Sequence, residues 1–145
     1  MFARLFGGSK AEPIAPIKHG EFGELKWDGE NRHWRTEVPY GERRIPIYIP
    51  GKPPNYVADQ ACQKLLQVVR DPKVTLDTAT EYLIARLSEE ARRAVTANEL
   101  LLEDVIVFAE SEEGFHVCFQ WREQPDWLVR VFFKDGSPAN WAFDD

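Results

Sequence analysis

The sequence is poor in the residues and motifs that usually mark a chemical site. It holds only two cysteines, Cys62 and Cys118, which are too far apart in the chain to form a short-spaced metal motif. We therefore expect two reduced thiols, as is typical of a reducing cytoplasm. The sequence also lacks a phosphate-binding glycine motif, a G-x-S-x-G, an H-E-x-x-H and a C-x-x-C. These absences predict no catalytic residue, no cofactor and no metal site.

Long apolar stretches are missing as well. No segment approaches the roughly 18 apolar residues that a membrane-spanning helix needs. The short apolar start, residues 1–6, contains an arginine and lacks the apolar core of a signal peptide. The sequence therefore predicts a cytoplasmic protein without a membrane span.

Positive charge is scarce in the second part of the chain. The formal net charge is −6, with +2 in residues 1–54 and −8 in residues 55–145. Residues 99–126 contain eight acidic side chains, and Arg122 is their single basic neighbour. Because nucleic-acid binding draws its affinity from lysine and arginine, this balance argues against a nucleic-acid ligand. It favours a basic protein as the partner.

Period-two alternation of apolar and polar residues marks both ends of the sequence, and it predicts antiparallel strands with one buried face. Turn residues separate the segments, most clearly Asp28-Gly29 and Asp135-Gly136. Pro46 falls inside the third strand and cannot donate a ladder hydrogen bond, so we expect at least that part of the strand to lie at a sheet edge. The predicted strands are 22–27, 34–38, 45–49, 105–109, 115–121, 127–133 and 141–143.

Helical periodicity occupies the middle of the chain. Asn55 is a suitable N-cap for a helix that ends near Arg70. A second helix is expected to start near Thr75, and Ser88 can cap a restart. The first helix carries one apolar stripe, formed by Ala58, Cys62, Leu65 and Val69.

Because the strands are segregated from the helices, the sequence predicts an α+β fold. We expect a β-meander, two to three helices and a second β-meander, which together form a mostly antiparallel sheet with the helices packed on one face. Glycine and proline in residues 7–20 indicate a flexible N-terminal segment, 1–20. A single α+β domain, 21–145, follows it.

Four glutamates are candidates for an interaction surface. Glu110, Glu112, Glu113 and Glu123 cluster in the sequence with only Arg122 to offset them. We expect them to project to solvent from adjoining strand ends around the second meander. Like charges held together cost stability, so such a cluster often serves a partner or solubility.

Two further residues complete the candidate set. Trp127 follows a turn, and a half-exposed tryptophan beside arginine is a common binding hot spot. Arg35 belongs to a basic cluster around the turns of the first meander, which fits an acidic ligand or the protein's own acidic half. His116 and Cys118 share a strand face about 7 Å apart. That spacing exceeds the hydrogen-bond reach that thiol catalysis requires.

The pattern Phe22-Gly23-Glu24-Leu25-x-Trp27-Asp28, followed by a hairpin, two helices and Phe133-Lys134-Asp135-Gly136, resembles small bacterial domains of unknown function. Some of these domains are associated with immunity to polymorphic toxins. The resemblance covers most of residues 20–140, and it implies a bacterial, cytoplasmic binding protein with no catalytic motif to carry over.

Three functions follow as hypotheses. The first is an interaction module, such as an immunity-type inhibitor that binds a basic protein through its acidic face. The second is a small-ligand-binding protein or enzyme with a pocket between sheet and helices, using Arg35, His33 or His116. The third is a phage or structural assembly protein, which would carry a large exposed apolar patch and a symmetric interface.

Overall fold

The computed structural model of the protein describes residues 13–144. This part of the chain contains ten strands and three α-helices, and it places the helices between two groups of strands. The strands are β1 (Ile17–His19), β2 (Gly23–Asp28), β3 (His33–Tyr40), β4 (Arg43–Ile49), β5 (Gly51–Lys52), β6 (Tyr56–Val57), β7 (Leu100–Ile106), β8 (Gly114–Trp121), β9 (Leu128–Lys134) and β10 (Ser137–Asp144). The helices are α1 (Asp59–Arg70), α2 (Pro72–Arg86) and α3 (Glu89–Thr96).

Eight of these strands form one sheet in the order β1-β2-β3-β4-β7-β8-β9-β10. Neighbouring strands are antiparallel except β4 and β7, which pair in parallel through Ile47–Val105 and Tyr48–Ile106. We call this short parallel pairing the seam. The sheet therefore consists of two antiparallel meanders joined at the seam, and the three helices form the crossover between them. The predicted α+β class and mostly antiparallel sheet are confirmed.

The helices pack on one face of the sheet. Helix α2 contacts both β3 and β10, which are the third and eighth strands in the sheet order, so this one helix reaches strands of both meanders. Apolar side chains of the strands and helices form a buried core, which includes Trp34, Ile47, Leu65, Leu83, Phe119 and Val131.

A strand lies within the N-terminal segment that is predicted to be flexible. Ile17–His19 forms β1 and pairs with residues 23–25 of β2. Gly23 has a φ of 69°, which lets the chain reverse tightly between these two strands. The predicted flexible segment 1–20 therefore includes a strand of the sheet, and residues 1–12 of that segment lie outside the described residues.

Pro46 lies in an interior strand, because β4 has β3 on one side and β7 on the other. The seam involves only Ile47 and Tyr48 of this strand. Pro46 thus has no register partner on β7, and the missing N–H costs the sheet no seam hydrogen bond. The expectation of an edge strand is wrong for β4 as a whole and right for the stretch around Pro46.

The helix boundaries follow local capping chemistry. Helix α1 starts at Asp59 after Ala58, later than the predicted cap at Asn55. Helix α2 starts at Pro72, where proline fits the first helical position, and the Asp71 carboxylate accepts the backbone N–H of Val74. Within residues 13–144, no helix combines the length and apolar character that crossing a membrane requires.

Candidate functional site

The acidic turn, defined as residues 110–113, connects β7 to β8 and is fixed to the helical layer. Lys64 on α1 donates hydrogen bonds to the backbone carbonyls of Glu110 and Glu112. The Tyr56 hydroxyl on β6 donates to Oε2 of Glu110. These partners precede the turn by more than forty positions in the chain, so tertiary contacts and not local sequence set its conformation.

Glu112 does not project to solvent as predicted. Its Oε2 accepts the backbone N–H of Phe108 at 2.8 Å, and its Oε1 lies 2.6 Å from Nε2 of His116. The His116 ring packs between Phe108 and Phe132, with ring centroids 5.0 Å away on each side. Glu112 therefore closes the turn and orients His116, and little of its charge is free for a partner.

The four glutamates do not form one patch. Glu113 is exposed at the start of β8 and pairs with Lys134 at 2.9 Å, an interaction that raises the pKa of that lysine. Glu123 is exposed in the turn after β8. Because β8 has eight residues and a strand rises about 3.3 Å per residue, these two turns lie about 25 Å apart. The predicted surface is corrected to two separate acidic regions.

A groove of about 340 Å³ lies between the acidic turn and the start of α1. It contains two carboxylates, Asp59 and Glu110, beside the phenol of Tyr56, and none of its lining residues is a lysine or arginine. Asp59 lies in the first turn of α1. The lining residues are Tyr56, Ala58, Asp59, Gln60, Glu110 and Ser111.

The groove has an exposed aromatic ring in its wall. Tyr56, one of the lining residues, is 50% exposed. The hydrogen bond to Glu110 is the main cause that raises the pKa of Tyr56, so its phenol stays protonated at neutral pH and continues to donate. Half-exposed aromatic rings next to fixed charges are typical of interaction hot spots.

Arg35 lies in a different cleft, of about 870 Å³, on the helix-free face of the sheet. The cleft opens where β2 leaves β3 to pair with β1. Glu37 binds both Arg35, at 2.9 Å, and Arg44, at 3.3 Å. The predicted location between sheet and helices is therefore wrong for Arg35, and its charge is already balanced by a neighbour.

The structure does not bring Arg35, His33 and His116 into one site. Three strand spacings separate Arg35 on β3 from His116 on β8, a distance of about 14 Å. The two ring nitrogens of His33 lie 2.7 Å and 3.1 Å from the carbonyl oxygens of Asn31 and Val107. Each of these side chains is engaged by its own local neighbours.

Trp127 lies at the far end of the sheet from the acidic turn. It is 40% exposed and packs edge-to-face against Phe143, with ring centroids 5.6 Å apart. Among the predicted site residues, only Glu123 shares this end of the sheet with it. Trp127 therefore belongs to a surface distinct from the groove.

Both cysteines are free, as the sequence predicts, and both are buried. Burial raises the pKa of the Cys118 thiol well above its ordinary value, and the nearby Asp104 carboxylate adds to the effect. The same burial raises the pKa of Asp104. The thiol is therefore protonated at neutral pH and packs beside Asp104 as a neutral group.

Comparisons with protein-family models, curated proteins and solved structures found no match to this chain. In residues 13–144, no group of three or more histidine, cysteine, aspartate or glutamate side chains is placed to hold a metal ion. The groove beside the acidic turn presents the carboxylates of Asp59 and Glu110 without a basic lining residue.

Proposed function

We propose that this protein is an interaction module that binds a basic segment of a partner protein in the groove between the acidic turn and α1. One observation supports this above the others. The groove presents the carboxylates of Asp59 and Glu110 without a basic lining residue. A lysine or arginine of the partner would pair with these carboxylates through charge-assisted hydrogen bonds.

The rigidity of the acidic turn favours binding. Lys64, Tyr56 and the Glu112–His116 contact hold the turn before any partner arrives. Ordering a mobile loop during association weakens affinity, and a turn that is already ordered avoids that cost. The exposed ring of Tyr56 offers apolar surface next to the charges, so the site combines electrostatic steering with apolar contact.

The wider charge distribution and the sequence resemblance suggest the biological setting. Residues 55–145 carry a net charge of −8, which accelerates the approach of a basic partner over longer range. In this proposal the protein acts in the bacterial cytoplasm as an immunity-type inhibitor, and its partner is a basic toxin domain. The groove would then receive a basic side chain from the surface of that toxin.

A nine-residue arginine peptide provides a defined probe for the groove. Isothermal titration calorimetry should detect binding to the wild-type protein that weakens steeply between about 50 mM and 500 mM salt, because screening shortens the range of the charges. The combined change Asp59→Asn and Glu110→Gln should weaken binding about tenfold, equivalent to about 1.4 kcal/mol. The variants' thermal unfolding should be measured alongside, to show that they are folded.

The combined change Glu123→Gln and Asp126→Asn is the matched control, because it also removes two exposed negative charges but lies at the opposite end of β8. Its affinity for the peptide should stay within about twofold of the wild type. Equal weakening by this control and by the groove variant would show that net charge alone attracts the peptide, and the groove would lose its role.

A further inference from the structure

The edge strand β10 is unusually open to pairing with another strand. In the described residues one edge of the sheet is β1, with three residues, and the other is β10, with eight. Edges of this length are normally protected by charged side chains. The only charged residue on β10 is Asp144, and Arg130 already binds it at 2.6 Å. Pro138 and the bulge after it protect only the first part of the strand.

The backbone of β10 indicates which groups face outward. The N–H of Trp141 donates to Oδ1 of its neighbour Asn140 at 2.8 Å, so it is directed away from β9. Backbone groups alternate along a strand. Trp141 and Phe143 therefore present their N–H and C=O groups at the free edge, and Asn140 covers one of them with its side chain.

We propose that a second copy of this chain pairs with β10 in antiparallel fashion across a two-fold axis at Ala142. In this register Trp141 of each copy lies opposite Phe143 of the other, and the two form hydrogen-bonded backbone pairs. Asn140 lies opposite Asp144, and Ala142 faces its own counterpart. The eight-stranded sheets of the two copies become one continuous sheet.

The side chains of residues 140–144 are complementary to themselves in this register. Two aromatic pairs form on the helix-bearing face, where Trp141 and Phe143 lie opposite Val131 and Val129 of β9. Asn140 releases the N–H of Trp141, which then donates to the other copy, and its amide group turns to the free carboxylate oxygen of Asp144. The small alanine at the axis allows close approach, and no like charges oppose one another.

Self-complementarity favours a second copy over an unrelated strand as the occupant. A two-fold interface requires that one surface match itself, and five consecutive residues of β10 satisfy this requirement. The exposed ring of Trp127 packs on Phe143 and extends the same apolar surface. No lining residue of the acidic groove lies on β10, so this interface stands independently of the proposed function.

The variant Ala142→Cys tests the register directly. Residues on the axis form a non-hydrogen-bonded pair with Cα atoms about 4.5 Å apart, within the range of a disulfide. Mild oxidation should convert most of the variant into a covalent dimer, as seen by non-reducing electrophoresis and mass analysis. Wild-type protein should not crosslink, because Cys62 and Cys118 are buried. Ser137→Cys, on the same strand but away from the axis, should crosslink far less.

Sedimentation equilibrium tests the association without crosslinking. The wild type should dimerise reversibly, and Phe143→Lys should weaken dimerisation at least tenfold. Val74→Lys adds the same charge at an exposed position of α2, and it should leave dimerisation unchanged. A wild type that stays monomeric up to about 1 mM would overturn the proposal and leave β10 free for another protein. A dimer insensitive to Phe143→Lys, or equal crosslinking at positions 137 and 142, would equally overturn it.

Discussion

Residues of the same type have different roles in the acidic turn because their partners differ. Glu110 receives a hydrogen bond from Tyr56 and still lines the groove. Glu112 is turned inward to the Phe108 N–H and to His116. Glu113 pairs with Lys134 on β9. Of the three, Glu110 alone lines the groove, so a residue's charge in the sequence does not determine whether a partner can use it.

Tyr40, at the end of β3, makes stability depend on pH in the alkaline range. Its hydroxyl donates to Oδ1 of Asp77 at 2.6 Å, and burial followed by this hydrogen bond raises its pKa from 10.0 to about 12. The folded state thus holds the proton more tightly than the unfolded chain. The stability that Tyr40 contributes is fully present below pH 10 and is lost as the pH rises toward about 12.

Tyr40→Phe should lower the free energy of unfolding by about 1 kcal/mol at pH 7, through loss of the hydrogen bond to Asp77. Urea unfolding at several pH values should show a smaller decline for the variant than for the wild type above pH 10. If the free energy of unfolding declines equally in the two proteins above pH 10, groups other than Tyr40 cause the alkaline dependence of stability.

At the scale of elements, the start of β8 has no room for a side chain. A Cβ on Gly114 would lie 1.7 Å from the carbonyl oxygen of Phe133 on β9. The backbone of β9 cannot move aside as a flexible side chain can, so β8 and β9 would have to separate. The same residue follows the acidic turn, which means that the close approach of β8 to β9 also positions the groove.

Gly114→Ala should therefore reduce the free energy of unfolding by about 3 kcal/mol or more, as severe overpacking does. Gly20→Ala is the matched control, because a Cβ there meets nothing within 4 Å, and it should change stability by less than about 0.5 kcal/mol. Denaturant unfolding curves give both values. A cost for Gly114→Ala as small as that of the control would show that β8 and β9 tolerate separation.

For the whole molecule, local patterns in the sequence predict the hairpins but not how they join. Period-two alternation identifies β3, β4, β8 and β9, because each strand buries one face and its turn residues are adjacent. The seam was not predictable, since Ile47 and Val105 lie on opposite sides of all three helices in the chain. Strand β1 is not predictable from periodicity, because three residues are too few to show a period.

The sequence likewise predicts some residues of the candidate site and not others. Glu110 was found because it lies among other acids in the sequence. Tyr56 and Asp59, which complete the groove, were missed because no local pattern links them to a turn fifty positions later. Glu123 is close to the acidic turn in sequence but not in space, because the full length of β8 separates them.

The seam also has a consequence for the order in which the molecule folds. Each meander pairs strands that follow one another closely, whereas the seam closes a loop that contains every helix. Loop closure makes such long-range contacts slow to form, so we expect the seam to be absent from the folding transition state. Ile45 and Ile47 are both fully buried on β4, but Ile47 alone pairs with β7.

Replacing either isoleucine by valine should cost about 0.5–1.5 kcal/mol. In stopped-flow measurements Ile47→Val should mainly accelerate unfolding, and Ile45→Val should also slow folding. An equal slowing of folding by both changes would mean that the two meanders are already joined at the rate-limiting step.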